Sequence, residues 1–123
     1  MDFRDLLAYQ KAFALSMKIF EISKGFPTEE KYSLIDQIRR SSRSVCVNIG
    51  EGYRKRRYPA HFISKISDAD MENSETQIWL DFALSCGYLE RVSYDDLQSE
   101  VSEIGKLIGY MLAHPEKFGA VSK

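Results

Sequence analysis

Arginine and lysine crowd one stretch of this chain. Arg39, Arg40, Arg43, Arg54, Lys55, Arg56 and Arg57 are opposed within it only by Glu51. The stretch carries a net +6 while the remainder carries −7, so a formal charge of −1 conceals a divided surface. Planar guanidinium forks pair well with phosphate oxygens, and a local basic excess attracts a polyanion whatever the overall balance. Tyr53 and Tyr58 bracket the 54–57 cluster and offer rings on which unpaired bases could stack. The chemistry expected of these residues is binding of RNA or single-stranded nucleic acid. The same division of charge also suits subunit contacts, basic face against acidic face.

Catalytic chemistry finds less support. Asp68, Glu72 and Glu75 fall at i, i+4 and i+7 and share one helix face. A two-metal site in a helical bundle needs Glu-x-x-His pairs, and neither His61 nor His114 has a Glu three residues before it. The three carboxylates therefore read as ion-pair partners for Arg40 or Arg43, on a neighbouring helix or a neighbouring subunit. No histidine sits in a nucleophile arrangement. Gly50-Glu51-Gly52 lacks the preceding strand and the third glycine of a dinucleotide turn. No catalytic residue, metal or cofactor is expected, and Cys46 and Cys86 read as small buried thiols.

Helices must position these groups. At 123 residues and 44% hydrophobic composition the chain reads as one domain with a single core. Four segments show apolar residues at helical spacing: about 6–24, 29–50, 59–86 and 94–113. The first carries Leu7, Phe13, Ala14, Met17, Ile19, Phe20 and Ile22 and stops at Gly25-Phe26-Pro27, where Gly25 can take the left-handed cap. Thr28 then reads as an N-cap, with Glu29 and Glu30 in the first turn. The second segment has its stripe at Leu34, Ile38, Ser41 or Ser42, Val45 and Ile49, and weakens at Gly50 and Gly52. Arg39, Arg40 and Arg43 lie roughly opposite that stripe, with Val47 among them.

The third segment opens at Pro59 and ends before Gly87, a C′ cap. Its stripe is Phe62, Ile66, Ala69, Asn73, Thr76, Leu80 and Ala83. Its last turns, from Ile78 to Leu84, are apolar nearly all round, and a helix of that kind must be covered on every side. Ile78, Trp79 and Phe82 are accordingly expected at a subunit interface, unless a terminal tail covers them. The fourth segment is capped at Ser93 and repeats Leu97, Val101, Ile104, Ile108 and Met111 or Leu112. Short connections make neighbours antiparallel, so the expected fold is all-α, an up-down-up-down four-helix bundle. No secretory signal and no apolar run long enough to span a bilayer is present, so a cytoplasmic protein is expected.

The run from Gln37 to Gly52, QIRRSSRSVCVNIGEG, preceded by Phe26-Pro27 and Glu30-x-Tyr32-x-Leu34, resembles the signature of the bacterial four helix bundle protein family, also described as 23S ribosomal RNA intervening-sequence proteins. The likeness continues through Tyr58-Pro59-Ala60-His61-Phe62 and from Asp68 to Leu89, nearly the whole chain. Gly50, where the family commonly has Ala, and Ser41-Ser42, where Ala is usual, depart from it. The resemblance implies an antiparallel bundle assembled as a ring, typically a homopentamer. It is similar also to the accessory proteins of diversity-generating retroelements, basic barrels that bind nucleic acid and a reverse transcriptase, so a protein partner is a further implication.

Two readings follow. In the first, a non-catalytic oligomer binds RNA or single-stranded nucleic acid, with Arg54 to Arg57 as a mobile connector and Arg39, Arg40 and Arg43 as a helical stripe. In the second, an assembly or adaptor protein uses Arg40 and Arg43 in ion pairs between subunits, and the connector is merely solvated.

Overall fold

A computed structural model describes residues 1–121 of the chain. Four helices dominate: α1 (Leu7–Ser23), α2 (Leu34–Arg54), α3 (Pro59–Ser85) and α4 (Arg91–Ala113), with short 3₁₀ turns at Phe3–Asp5, Thr28–Glu30 and Pro115–Phe118. Each helix packs on its neighbours in the order α1–α2–α3–α4–α1, the expected up-down-up-down bundle. Its core is lined by Ile19, Ile38, Ile49, Phe62, Ile66, Leu80, Leu97, Ile104 and Ile108, all essentially inaccessible to water. Each such side chain contributes roughly 1.5–3 kcal/mol by leaving water, which is what holds four otherwise marginal helices together.

The buried residues of α3 are the seven of its sequence stripe, and Leu97, Val101, Ile104, Ile108 and Met111 are those of α4. In α1 the stripe lies elsewhere. Leu7, Phe13, Ala14 and Met17 face outward, while Ala8, Ala12, Leu15, Ser16, Ile19 and Ser23 face the core. Ala8, Ala12, Ser16 and Ser23 let α1 lie close against its neighbours while Leu15 and Ile19 fill the core, and Leu7, Phe13 and Met17 are left on the surface.

The helix ends also differ from expectation. Gly25 does not take a left-handed conformation; only Gly87 (φ 77°) and Gly119 (φ 85°) do so among the described residues. Thr28 starts a 3₁₀ turn, and α2 begins at Leu34, where the Glu30 carboxylate accepts the Leu34 N–H at 3.3 Å. Glu30 also accepts the hydroxyls of Ser33 and Tyr88, which ties the start of α2 to the α3–α4 turn. Helix α4 starts at Arg91, ahead of Ser93.

Gly50 and Gly52 do not stop α2, which runs on to Arg54. Gly52 faces α3 so closely that a Cβ there would stand 2.7 Å from Ile66 Cδ1 and 3.1 Å from Lys65 Cβ. The glycine is there for that contact. Further along the same seam, Ser41 Oγ and Thr76 Oγ1 share a buried hydrogen bond of 2.8 Å, and Asn73 Nδ2 donates to the Val101 carbonyl of α4 at 3.0 Å. The tail folds back over the base of the bundle, with Phe118 against Phe62 and Ala120 buried.

Candidate nucleic-acid interface

The outer face of α2 carries the basic stretch, and the structure divides its seven cations. Arg40 donates to Glu72 at 3.4 Å and to Glu75, both on α3 of the same chain. Hydrogen bonding to Glu75, above all, holds its proton more firmly than usual. Arg40 is thereby neutralised within its own subunit, without recourse to a neighbour. Asp68 is exposed and forms no ion pair among the described residues.

Arg39 and Arg43 have no carboxylate partner among the described residues. Arg39 donates to Ser23 Oγ at 2.8 Å and to the Phe20 carbonyl at 3.3 Å, with its guanidinium 4.7 Å from the centre of the Phe20 ring. Arg43 lies over the same ring at 5.6 Å. These contacts aim the two arginines along the α1–α2 seam. Lys31, Tyr32, Asp36 and Val47 border the same open groove.

The connector is shorter and firmer than expected. Arg54 closes α2, and Lys55, Arg56 and Arg57 form a tight turn into α3 at Pro59. Tyr53 is only 6% exposed, part of the core. A side chain so buried cannot receive a base, which corrects the stacking role expected of it. Arg56 lies over the Tyr53 ring at 4.2 Å, donates to the Tyr53 carbonyl at 3.0 Å and touches Gly119 of the tail. Arg56 is thus a packing residue as much as a surface charge. Arg54, Lys55 and Arg57 are exposed and unpaired among the described residues, and Tyr58 remains 61% exposed beside them. Glu51, the single acid of the stretch, is occupied by Lys65 at 3.6 Å.

Sequence periodicity did not show the aromatic row of α1. Tyr9, Phe13 and Phe20 occupy the side of α1 that turns toward α2, and Phe3 sits edge-on to Tyr9 at 5.2 Å. Their spacing of four and seven residues was the available signal. Lys11 and Lys18, on the other side of α1, are spent on Glu103, Asp96 and Glu100 of α4.

Ile78, Trp79 and Phe82 lie together at the far end of α3. Ile78 and Phe82 are about half exposed (52% and 53%), while Trp79 is partly covered, donates to Glu75 at 3.2 Å and packs on Phe82. Neither described tail segment covers them: the N-terminal turn packs on α1 and α2, and the C-terminal turn on α3 and α4 around Phe62 and Tyr110.

Of the two cysteines, Cys46 is buried and its thiol pushed up by that burial, whereas Cys86 is exposed, contrary to expectation. Among the described residues no group of three or more His, Cys, Asp or Glu stands where it could hold a metal ion. No helix there is long and apolar enough to cross a membrane.

No curated protein matches the chain. A crystal structure of a protein of unknown function from the S23 ribosomal protein family of Bacteroides thetaiotaomicron VPI-5482 is similar, with a TM-score of 0.79 and 27% identity, over 89% of this chain and 98% of that one. The 23S rRNA-intervening sequence protein family matches residues 4–110. With seven-eighths of the chain inside that match and the same bundle in the solved structure, the chain belongs to the 23S rRNA-intervening sequence protein family.

Proposed function

We propose that this protein is a non-catalytic, cytoplasmic oligomer that binds RNA or single-stranded nucleic acid along its basic edge. One observation carries the reading: Arg39, Arg43, Arg54, Lys55 and Arg57 crowd one edge with no carboxylate partner among the described residues, although the chain as a whole is slightly acidic. Concentrated cations left without partners are poised for an external anion, and phosphate is the anion that a row of arginine forks suits best. Arg40 drops out of the binding set because Glu72 and Glu75 already hold it.

Assembly of several copies supports this reading, since a ring would repeat one weak basic edge and raise its avidity. Ile78 and Phe82, half exposed at one end of α3, are apolar surface suited to such a contact. A pentamer is the form the family resemblance suggests. The adaptor reading, with arginines bridging subunits, loses its main argument because the Arg40 partners lie in its own chain.

Salt titration of binding to a short single-stranded RNA tests the proposal. If Arg54, Lys55 and Arg57 neutralise one phosphate each, log K falls against log salt with a slope of about −2 for each subunit engaged. Arg54→Glu with Arg57→Glu is expected to abolish binding and leave the oligomer intact, while Arg40→Ala changes affinity little. Binding that ignores salt, or no binding at low salt, would refute the proposal.

A further inference from the structure

The α1–α2 seam interleaves two kinds of side chain. From α1 come Tyr9, Phe13 and Phe20; from α2 come Arg39, Arg43 and Arg54. Arg39 and Arg43 both lie over the Phe20 ring, and Tyr9 and Phe13 stack on each other further along, so the seam offers cations and rings together, the combination by which single strands are held without sequence preference. At its lower end the seam deepens into a pocket of about 460 Å³, within the range of roughly 300–1,000 Å³ usual for small-ligand sites. Phe3, Tyr9, Cys46, Val47 and Gly50 line it together with Arg54, Lys55 and Glu51, the last paired with Lys65 at 3.6 Å.

The pocket depends on Gly50. A Cβ at that position would stand 3.3 Å from Phe3 Cδ2 and 3.6 Å from Tyr9 Cε2. Both rings therefore lie directly against the Gly50 backbone, and any side chain there would push them outward and deform the walls. Burial pushes the Tyr9 phenol up, so the wall stays neutral. A largely apolar slot with aromatic walls and two unpaired cations, its one carboxylate already held by Lys65, fits a flat heterocycle that carries a phosphate on each side. We propose that this pocket receives one unpaired base of the bound strand, packed against Phe3 and Tyr9, whose rings stand 70° apart so that one meets the base face-on and the other edge-on, with its flanking phosphates on Arg54 and Lys55. The pocket assignment rests on the strand-binding reading given above and adds to it a defined seat for a base.

A single-stranded RNA of about twelve nucleotides, carrying 2-aminopurine at its centre, tests the assignment, with an otherwise identical strand abasic at that position as control. Wild-type protein is expected to quench the 2-aminopurine and to bind the complete strand more tightly than the abasic one. Gly50→Leu, which displaces both walls, and Phe3→Ser, which removes a wall on an exposed turn, are expected to weaken binding of the complete strand about tenfold, the equivalent of one stacked base. Both variants should abolish quenching and leave the abasic strand bound as by wild type; melting curves show that each variant is folded.

Salt-dependent binding by wild type with no quenching, or with both variants indistinguishable from wild type, overturns the pocket assignment and leaves the basic edge standing. Absence of any salt-dependent binding by wild type defeats both proposals together.

Discussion

Among single residues, Glu30 does the most varied work. Its carboxylate accepts the Leu34 N–H, the Ser33 hydroxyl and the Tyr88 hydroxyl at 2.9 Å, and so joins the start of α2 to the α3–α4 turn. Hydrogen bonding by Ser33 and then by Tyr88 holds this carboxyl below its usual value of 4.5, and the same bond pushes Tyr88 up to about 12. A carboxyl depressed in the folded state stabilises the fold above its unfolded value, and that contribution fades as pH falls through the folded one. Glu30→Gln is therefore expected to lower the melting temperature at pH 7, with the gap to wild type closing in acid below the ordinary carboxylate range. The Tyr88 linkage has the opposite sign: its share of stability is complete below the ordinary phenol value and disappears as pH rises through about 12. An ultraviolet titration should accordingly show a late tyrosine fraction, to which the raised phenols of Tyr9 and Tyr94 also contribute, and Tyr88→Phe should remove its latest part.

At the level of elements, the glycines of α2 and α4 show why helix propensity alone misjudges this chain. Gly50 and Gly52 suggest a helix end near residue 50, yet α2 continues to Arg54 because Gly52 admits α3, and Gly50 admits Phe3, to close contact. The local cost of glycine, about 1 kcal/mol each against alanine, is offset by packing that no longer side chain permits. Gly52→Ala drives a methyl toward fully buried Ile66 and the Lys65 Cβ. It is expected to destabilise by about 1–3 kcal/mol despite its better propensity. Gly109 on α4 is exposed and has nothing within 4 Å of its would-be Cβ, so Gly109→Ala should instead stabilise by up to about 1 kcal/mol. Urea unfolding of the pair reads both signs at once. An equal response from the two would refute the close-approach account of Gly52.

On the scale of the whole molecule, positive and negative charge are sorted onto different helices. The basic edge follows α2 and the turn after it, α3 carries Asp68, Asp70, Glu72, Glu75 and Asp81 against Lys65 alone, and the half-exposed Ile78 and Phe82 sit at the other end of α3 from that turn. If those apolar residues join copies of the chain, Phe82→Asp should reduce the mass seen by light scattering. Because Phe82 is exposed in the monomer, helical content should persist, with the single-chain fold altered by no more than about 0.5 kcal/mol. A mass unchanged by Phe82→Asp and by Ile78→Asp would exclude this face from the interface. The bundle, the stripes of α2 to α4 and the basic excess could all be read along the chain, since 3.6-residue periodicity, proline at a first turn and local charge are properties of neighbouring residues. Which way α1 faces could not, because apolar residues surround much of its circumference and the choice of Ala8, Ala12 and Ser16 for the core depends on how closely α2 and α4 approach. The same holds for the interface. Arg40 is distinguished from Arg43 only by Glu72 and Glu75 standing opposite it, Tyr53 is removed from the surface only by the core around it, and the pocket beside Gly50 exists only because Phe3 and Tyr9 are brought against α2. Each of these outcomes depends on contacts between residues far apart in the chain, and a pattern of neighbours carries no information about them until the helices are packed.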